Sequence, residues 1–480
     1  MDEFIAQALN TAAVRGAGYA DARVVDHTEE SLSVRDGQVE AATHAESQGI
    51  GVRVLVDGAW GFASTADLTP AGVDRAAAQA VQIARASATV PGQRADLGPA
   101  VAHRGVYRTP VERDPFAVPL EEKVALLMEA DRAMRAVRGV TTANGEIVWQ
   151  RERKWFGNSE GALIEQEIVE TGCGIGASAV GHGEVQNRSY PNSFRHQMSQ
   201  GYEMVTALDL AAHAARVGEE AVALLTARQC PQDITTTLIL DSSQLALQIH
   251  ESCGHPIELD RVYGSELDFA GGSFLAIDEL GQLPYGSELV NIYADATIPG
   301  ALGTFGYDDE GVPAQRAPIV KDGILVGYLT SREYAQRLGI PDMGAARASG
   351  WNRIPLVRMT NVSVEPGNWT LDDLIADTDD GVYMETNRSW SIDDQRLNFQ
   401  FGTEVAYEIK GGKRGDLLKN ATYTGITPRF WGSMDAICNR DHYTVWGTPN
   451  CGKGRPMQVA HTGHGAAPAR FRNVRIGVVR

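Results

Sequence analysis

The hydrophobic pattern of the first 88 residues predicts a helix, a set of antiparallel strands and a second helix. Phe4, Ile5 and Leu9 share one helical face near the amino terminus, and an Ala-rich stretch at 70–88 predicts the closing helix. Three segments between them have the composition or the alternation of strands: residues 22–27, 31–35 and 51–56. Asp-Gly pairs, which favour hairpin turns, stand at 36–37 and 57–58. We therefore predict an α+β unit over residues 1–88.

A second α+β unit is predicted at residues 120–229. It follows a stretch at 89–119 that holds five prolines and few large apolar residues, which is typical of a linker or a surface excursion. Helices are predicted at about 121–138 and 207–227, and strand-like alternation occurs around 161–172. Helices and strands are thus mixed in this unit as in the first.

Short apolar runs separated by Gly-containing turns predict a large, mainly β domain at residues 230–480. Near its start, residues 235–240 predict a strand, and Asp241-Ser-Ser243 supplies the amino-terminal cap of a helix that reaches His250. The predicted fold class is α+β: helix and antiparallel-sheet units followed by a mainly β carboxyl-terminal domain that carries this helix.

Composition and charge exclude some functions. The 480 residues include 43 Lys and Arg against 61 Asp and Glu, a formal net charge of −18. This acidic excess argues against a nucleic-acid partner or an anionic membrane surface. No run of apolar residues is long enough to predict a membrane span. Five scattered cysteines and an acidic amino terminus predict a reducing, cytoplasmic location.

The strongest indication of a catalytic metal site is the stretch His250-Glu-Ser-Cys-Gly-His255, which has the pattern HExxxH. In the zinc-protease motif HExxH, the two His lie at i and i+4, about 40° apart around a helix, whereas a spacing of i+5 places them about 140° apart. Both imidazoles can face one metal only if the helix unwinds or widens between them. Because Gly254 can adopt a left-handed conformation and Pro256 stops a helix, we predict that the helix ends near Cys253 and that a turn at Gly254 brings the second His round. A π-bulge would have the same effect.

Catalytic zinc usually has three protein ligands and one open position. His250 and His255 provide two ligands, and the adjacent Glu251 is placed to take a proton from water at the metal. The residues alone leave several candidates for the third ligand: Cys253, Cys438, Cys451, His442, His461 and His464. A chance HExxxH spacing stays open at this point, because the chain has 11 His residues.

For the other cysteines, for two further His residues and for an acidic turn, a structural role is as consistent with the sequence as a functional one. Cys253 would face away from a metal held by its neighbours. Three further thiols are typical of buried, inert cysteines: Cys173, Cys230 and Cys438. His461-Thr-Gly-His464 fits a surface loop as well as a metal tract. Asp308-Asp-Glu310 is either a common acidic turn or a group that binds a cation or positions substrate.

Several glycine- and proline-containing stretches follow one another in a distinctive order: Gln48-Gly-Ile-Gly-Val-Arg53 with Gly61-Phe62-Ala63, residues 250–260, residues 303–313 with Tyr328-Leu-Thr-Ser331, residues 355–361 with Pro366-Gly367, and Cys451-Gly-Lys453 with Gly454, Pro456 and Asn473-Val474. In combination they resemble the TldD/PmbA family of zinc metallopeptidases, and within it the TldD-like, catalytic branch. The resemblance extends from about residue 20 to the carboxyl terminus.

The resemblance implies a site and a function. It implies that His250, His255 and Cys451 hold Zn²⁺ and that Glu251 is the general base. It also implies hydrolysis of peptides or unfolded protein segments, including removal of leader peptides. Its further implication is assembly with a PmbA-like subunit that lacks the metal motif, or into a homodimer, around an enclosed cavity.

Two alternatives come from other functional classes. One is a metal-free thiol hydrolase in which Cys451 or Cys253 is the nucleophile and a His is the base. The other is a non-catalytic binding subunit of a peptidase complex, which the intact HExxxH motif disfavours.

Overall fold

A computed structural model describes residues 1–193, 195–269 and 271–477. The amino-terminal half contains these helices and strands: α1 Asp2–Val14, β1 Tyr19–Arg35, β2 Gln38–Val56, β3 Ala59–Thr65, α2 Pro70–Ala88, β4 Arg104–Arg108, α3 Leu120–Ala136, β5 Val140–Asn158, β6 Leu163–Gly181, β7 Glu184–Tyr190, β8 His196–Met198, α4 Glu203–Leu208 and α5 Leu210–Thr226.

The carboxyl-terminal half is richer in strands. Its elements are β9 Arg228–Gln229, β10 Ile234–Leu240, α6 Ser242–Ile249, α7 Leu259–Val262, β11 Ile292–Asp295, β12 Arg316–Lys321, β13 Ile324–Leu325, α8 Arg332–Leu338, β14 Ala346–Arg347, β15 Leu356–Val357, β16 Val362–Val364, α9 Leu371–Ala376, β17 Asp380–Ile392, β18 Asn398–Lys410, β19 Lys413–Lys419, β20 Thr422–Ile426, α10 Thr427–Gly432, β21 Met434–Ile437, β22 Thr444–Lys453, β23 Gln458–Ala466 and β24 Ala469–Ile476. The predicted α+β class is confirmed.

One sheet runs through the whole amino-terminal half, in the order β3-β2-β1-β5-β6-β4, with β7 and β8 paired to β6. The long strand β1 joins its two parts, because Asp21 lies opposite Arg53 in β2 on one side and opposite Asn158 in β5 on the other. Helices α1 and α2 pack on the β1–β3 part, and α3 and α5 pack on the β5–β6 part. The two predicted α+β units therefore share a sheet.

Local sequence explains several of these elements. Helix α2 begins at the predicted Pro70 because the Thr69 hydroxyl accepts the Gly72 N–H at 3.1 Å. The helix lies so close to β3 that a Cβ on Gly61 would stand 2.1 Å from the Ala80 carbonyl oxygen. The predicted Asp36-Gly37 hairpin turn joins β1 and β2, with φ of 50° and 82° at its two residues.

Three local predictions were wrong or incomplete. The two strands predicted at 22–27 and 31–35 are one continuous strand, β1. The helix predicted at 207–227 is broken at Asp209, whose φ of 43° ends α4 and whose carboxylate caps α5. The stretch read as a linker contributes β4, which pairs in parallel with β6 and extends the sheet.

The carboxyl-terminal half is built around a second sheet that closes on itself. Its order is β17-β10-β24-β20-β18-β19-β9, and β17 also pairs with β18. Aromatic side chains in mutual contact fill its interior: Phe399, Phe401, Tyr423, Phe430, Trp431 and Phe471. Helix α6 follows β10 and packs against β17 and the β22–β23 hairpin, so the HExxxH segment lies between rigid elements.

None of the helices in the described part of the chain is both long and apolar enough to cross a membrane.

Candidate metal centre

The HExxxH segment continues helix α6 as a single turn of π-helix, His250–Gly254. The helix starts where predicted, because the Asp241 carboxylate accepts the N–H groups of Ser243 and Gln244 at 2.9 and 3.0 Å. At its end, the His255 N–H donates to the His250 carbonyl oxygen at 3.2 Å, a bond that spans five residues. The π-bulge considered above is therefore what aligns the two imidazoles.

The predicted left-handed turn at Gly254 is wrong. The chain continues through His255 with right-handed helical angles, φ −67° and ψ −43°. Glycine is required there for space instead, since a Cβ at Gly254 would lie 2.1 Å from the Met359 sulfur. The close approach of Met359 keeps a larger residue out of the widened turn.

Three side chains converge on one point beside this turn. The ligand atoms of His250, His255 and Cys451 all lie within 4.8 Å of one another, and all three residues are buried. Cys451 comes from β22, and its Sγ lies 3.8 Å from His255 Nε2. Neighbouring ligand atoms around one tetrahedral zinc are about 3.3 to 3.6 Å apart. The nitrogen and sulfur donor types suit a zinc ion, and the three ligand atoms would draw closer together around it.

Electrostatics favours the protonation states that metal binding requires. Burial lowers the pKa of both His250 and His255, so both imidazoles are neutral near pH 7. Burial raises the pKa of the Cys451 thiol, but the neighbouring His255 and Arg358 outweigh it, and the net pKa lies below the usual thiol value. Arg358 also donates to the Cys451 carbonyl oxygen.

Each imidazole is oriented by a partner behind it. His255 Nδ1 lies 3.1 Å from Glu258 Oε2, and burial of that carboxyl is outweighed by Lys453 and other cations, so its pKa is well below the usual range. An ionised carboxylate accepts the Nδ1 proton and leaves the His255 Nε2 lone pair free. Glu258 also lies 3.4 Å from Lys453 Nζ, on the strand that carries the cysteine.

His464 has the corresponding position behind His250. Its Nδ1 donates to the Val362 carbonyl oxygen at 2.9 Å, and burial holds its pKa well below the usual value, so its Nε2 carries a lone pair. His250 Nδ1 then donates to His464 Nε2 at 2.7 Å, and His250 Nε2 is left free as a donor to metal. His464, a candidate third ligand from the sequence, therefore does not join the three converging side chains but is hydrogen-bonded to one of them, His250.

Replacing His464 with Ala is expected to weaken zinc binding about 10- to 100-fold, because His250 loses the acceptor that fixes its ring and tautomer. Zinc affinity is measured by competition with a chromophoric chelator. His461→Ala, in the same strand but hydrogen-bonded to Glu170, is the matched control and should bind zinc as the wild type does. Equal affinities for the two variants would contradict the orienting role of His464.

Glu251 faces a cavity of about 290 Å³ that the three converging side chains also line. One carboxylate oxygen, Oε2, accepts a 2.8 Å hydrogen bond from Arg396 Nη1. Arg396 lies in the loop between β17 and β18 with a φ of 60°. Sequence reasoning missed this residue, since nothing in its neighbourhood marks a loop arginine 145 positions from Glu251 as its partner.

The remaining third-ligand candidates lie elsewhere. Cys253 and Cys438 are buried, and burial raises both thiol pKa values to about 12. His442 Nε2 accepts a backbone N–H from the start of α9. His461 Nδ1 lies 2.6 Å from Glu170 Oε2, in a contact between the two halves of the chain.

The acidic turn at 308–310 joins the two halves of the protein. Asp309 lies 2.8 Å from Lys154 Nζ, and Glu310 lies 2.9 Å from Arg53 Nη1, both cations belonging to the amino-terminal sheet. Asp308 accepts backbone N–H groups of its own turn and of β14. These contacts give the turn a structural role, and its carboxylates do not line the cavity beside Glu251.

Comparison with known families accounts for nearly the whole chain. Residues 20–84 match domain 1 of the PmbA/TldA metallopeptidases, residues 113–228 match their central domain, and residues 234–477 match their C-terminal domain. A metalloprotease of Methanocaldococcus jannaschii is 30% identical over 423 residues, which are 87% of this chain and 89% of that protein. A metalloprotease of Methanothermobacter thermautotrophicus is 30% identical over 464 residues, 96% and 95% of the two chains.

Solved structures share the fold at lower identity. TldE from Thermococcus kodakarensis superposes with a TM-score of 0.75 at 16% identity, covering 99% of this chain and 100% of its own. A candidate DNA-gyrase modulator of Thermotoga maritima gives a TM-score of 0.78 at 18% identity and covers 99% of each chain. With all three domain profiles matched in order and relatives 30% identical over most of its length, the chain belongs to the PmbA/TldD family of metallopeptidases.

Proposed function

We propose that this protein is a zinc-dependent peptidase that hydrolyses peptide bonds in peptides or unfolded protein segments. The observation that carries the proposal is the convergence of His250, His255 and Cys451 beside the Glu251 carboxylate in one cavity. Curated relatives named metalloproteases support it. A protein of Saccharolobus solfataricus named a zinc metalloprotease, 26% identical over 223 residues, supports the choice of zinc.

The ligand set in this proposal is His250 Nε2, His255 Nε2 and Cys451 Sγ. Three protein ligands leave one position for water or substrate, as in catalytic zinc sites. A bound zinc ion supplies a Lewis acid that polarises the scissile carbonyl and lowers the pKa of water. Glu258 and His464 keep the two imidazole rings in the orientation that presents Nε2.

Glu251 is the proposed general base. Arg396 binds Oε2 and fixes the plane of the carboxylate, so that Oε1 can take a proton from the attacking water. The same carboxyl then gives the proton to the leaving amide nitrogen, which converts it into a better leaving group. Burial of Glu251 at 6% exposure keeps bulk water from competing for this proton.

We expect Arg396→Ala to lower kcat by about 10- to 100-fold while zinc content stays unchanged, because the base remains but its carboxylate is no longer held. Steady-state cleavage of a fluorogenic peptide and metal analysis of the same preparation measure the two effects. Arg440→Ala, which removes an exposed arginine stacked on Tyr443, is the control. Wild-type turnover in Arg396→Ala would remove Arg396 from the mechanism.

A metal-free thiol hydrolase remains the second candidate, because Cys451 and His255 lie at a distance compatible with a nucleophile–base pair. The two candidates differ in what they require. The zinc peptidase should lose cleavage of unfolded casein on treatment with 1,10-phenanthroline and regain it on addition of zinc. Full activity in the metal-depleted protein, lost on alkylation of Cys451, would instead support the thiol mechanism.

Intact His250, Glu251, His255 and Cys451 also disfavour a non-catalytic binding subunit. Assembly with a PmbA-like subunit or into a homodimer stays a prediction, as does the cytoplasmic location.

A further inference from the structure

Part of the wall of the cavity beside Glu251 is apolar. Three large apolar residues line the cavity, and they come from three different elements: Leu247 from helix α6, Trp390 from β17 and Trp446 from β22. The cavity volume of about 290 Å³ lies near the lower end of ordinary ligand pockets, so the cavity takes only a short part of a peptide at a time. An apolar lining beside a few polar groups is typical of sites that bind a ligand.

Trp390 is the most unusual of these three residues in its exposure. All eight tryptophans lie in the described part of the chain, and among them only Trp390 is exposed, with 42% of its surface accessible. An indole ring that is left in water forgoes the free energy of burial. Where such a ring lines a concave site beside other apolar residues, it is typical of an anchor for a bound partner.

Trp446 is held in place by two contacts that leave it half-buried at the cavity. Its Nε1 donates to the Ser242 hydroxyl at 3.1 Å, at the first residue of helix α6. Its ring meets the His196 ring edge-on, with 5.0 Å between the ring centroids. Burial lowers the pKa of His196 to about 4, so this imidazole is uncharged near pH 7. The indole is therefore fixed relative to the helix that carries Glu251.

Leu247 relates this apolar wall to the position of the chemistry. It precedes Glu251 by four residues and lines the same cavity, so the two positions are about 6 Å apart along the helix. Successive residues of an extended peptide advance about 3.3 Å each. A peptide whose bond lies beside Glu251 therefore brings a side chain to Leu247 within two residues of that bond.

We propose that Leu247, Trp390 and Trp446 form a specificity subsite that takes one large apolar side chain, of the size of leucine or phenylalanine, from a residue within two positions of the scissile bond. The inference rests on the proposed peptidase function and adds a sequence preference to it. Contact with two indole rings removes apolar surface of the substrate from water, which is the source of the preference.

The test measures kcat/KM of the zinc-loaded wild-type protein on internally quenched peptides of one parent sequence, taken from unfolded casein. Each of the two residues on either side of the cleaved bond is in turn Ala, Leu or Phe, and mass spectrometry identifies the bond that is cut. At one of the four positions, kcat/KM should be about 10- to 100-fold higher for Leu or Phe than for Ala.

Two variants assign this preference to the subsite. Trp390→Ala should lower the ratio of kcat/KM for Phe to that for Ala at the preferred position by at least about threefold, because part of the apolar wall is lost. Leu247→Phe should also lower this ratio, because the larger side chain fills the space that the substrate needs. Each ratio is measured on one preparation, so a fraction that is unfolded or lacks zinc cancels.

Phe269→Ala is the matched control, since Phe269 is 51% exposed and lines a separate cavity of about 600 Å³. It should keep the wild-type ratio. Equal kcat/KM for Ala, Leu and Phe at all four positions would overturn the inference, and so would a wild-type ratio in Trp390→Ala or in Leu247→Phe. If cleavage is sensitive to 1,10-phenanthroline but shows no such preference, only this inference fails. If none of the peptides is cleaved, the proposed function fails and this inference fails with it.

Discussion

Glu251→Gln is expected to lose peptide cleavage by about 10²- to 10⁴-fold while it retains zinc. Glutamine keeps the size and the hydrogen-bonding shape of the side chain but cannot take a proton from water. The residue does not belong to the group of converging donors, so the metal ligands are untouched. Turnover of a fluorogenic peptide and zinc content are measured on the same purified sample.

The control for this variant is Glu365→Gln, which makes the same chemical change in a partly exposed carboxylate paired with Arg316. It should keep wild-type turnover. Substantial cleavage by Glu251→Gln, at equal zinc content, would exclude Glu251 as the general base and would leave the cavity without an identified one.

Cys451→Ala is expected to lower zinc affinity by more than about 100-fold, because it removes a ligand and not merely a group that orients one. Of the three converging donors, the thiol is the one outside the HExxxH motif, and it lies 196 positions away in sequence from His255. Loss of the metal should abolish cleavage with it. Isothermal titration calorimetry, in which zinc is added to the metal-free protein, measures the affinity directly.

Cys253→Ala provides the comparison for Cys451→Ala. It removes a buried thiol from the π-turn itself, outside the converging group, and should leave zinc affinity unchanged. If both variants bound zinc like the wild type, Cys451 could not be the third ligand. If only Cys253→Ala lost zinc, the ligand would be the thiol that the structure places away from the cavity.

Local chemistry made part of the fold predictable. The cap at Thr69 and the proline after it define the start of α2, and Asp36-Gly37 defines the turn between β1 and β2. The Asp241 cap likewise defines the start of α6. In each case the residues that determine the start of the helix or the turn are neighbours in sequence, so the local sequence is enough to predict it.

Two features depend on residues that are far apart in sequence: the sheet shared by the two amino-terminal units, and the orientation of the His250 ring at the candidate metal centre. The pairing of β1 with β5 brings together segments more than a hundred positions apart, which neither segment specifies on its own. His464 is 214 positions from the His250 ring that it orients. Sequence spacing identified His464 as a candidate ligand but could not distinguish a ligand from a residue behind one.

The HExxxH spacing itself admitted two local structures. A left-handed turn at Gly254 and a π-turn both bring His255 towards His250, and a glycine permits either. Packing of Met359 against Gly254 and the hydrogen bond across five residues accompany the π-turn. Met359 lies far from the motif in sequence, so the motif alone could not specify this contact.

Zinc K-edge X-ray absorption of the zinc-loaded protein tests the proposed centre most directly, because it counts the sulfur and nitrogen or oxygen atoms around the metal. With His250, His255 and Cys451 as ligands, the spectrum should require one sulfur at about 2.3 Å and two imidazole nitrogens at about 2.0 to 2.1 Å. In the Cys451→Ala protein the sulfur contribution should disappear. A wild-type spectrum without sulfur, or one with two sulfurs, would contradict the proposed ligand set.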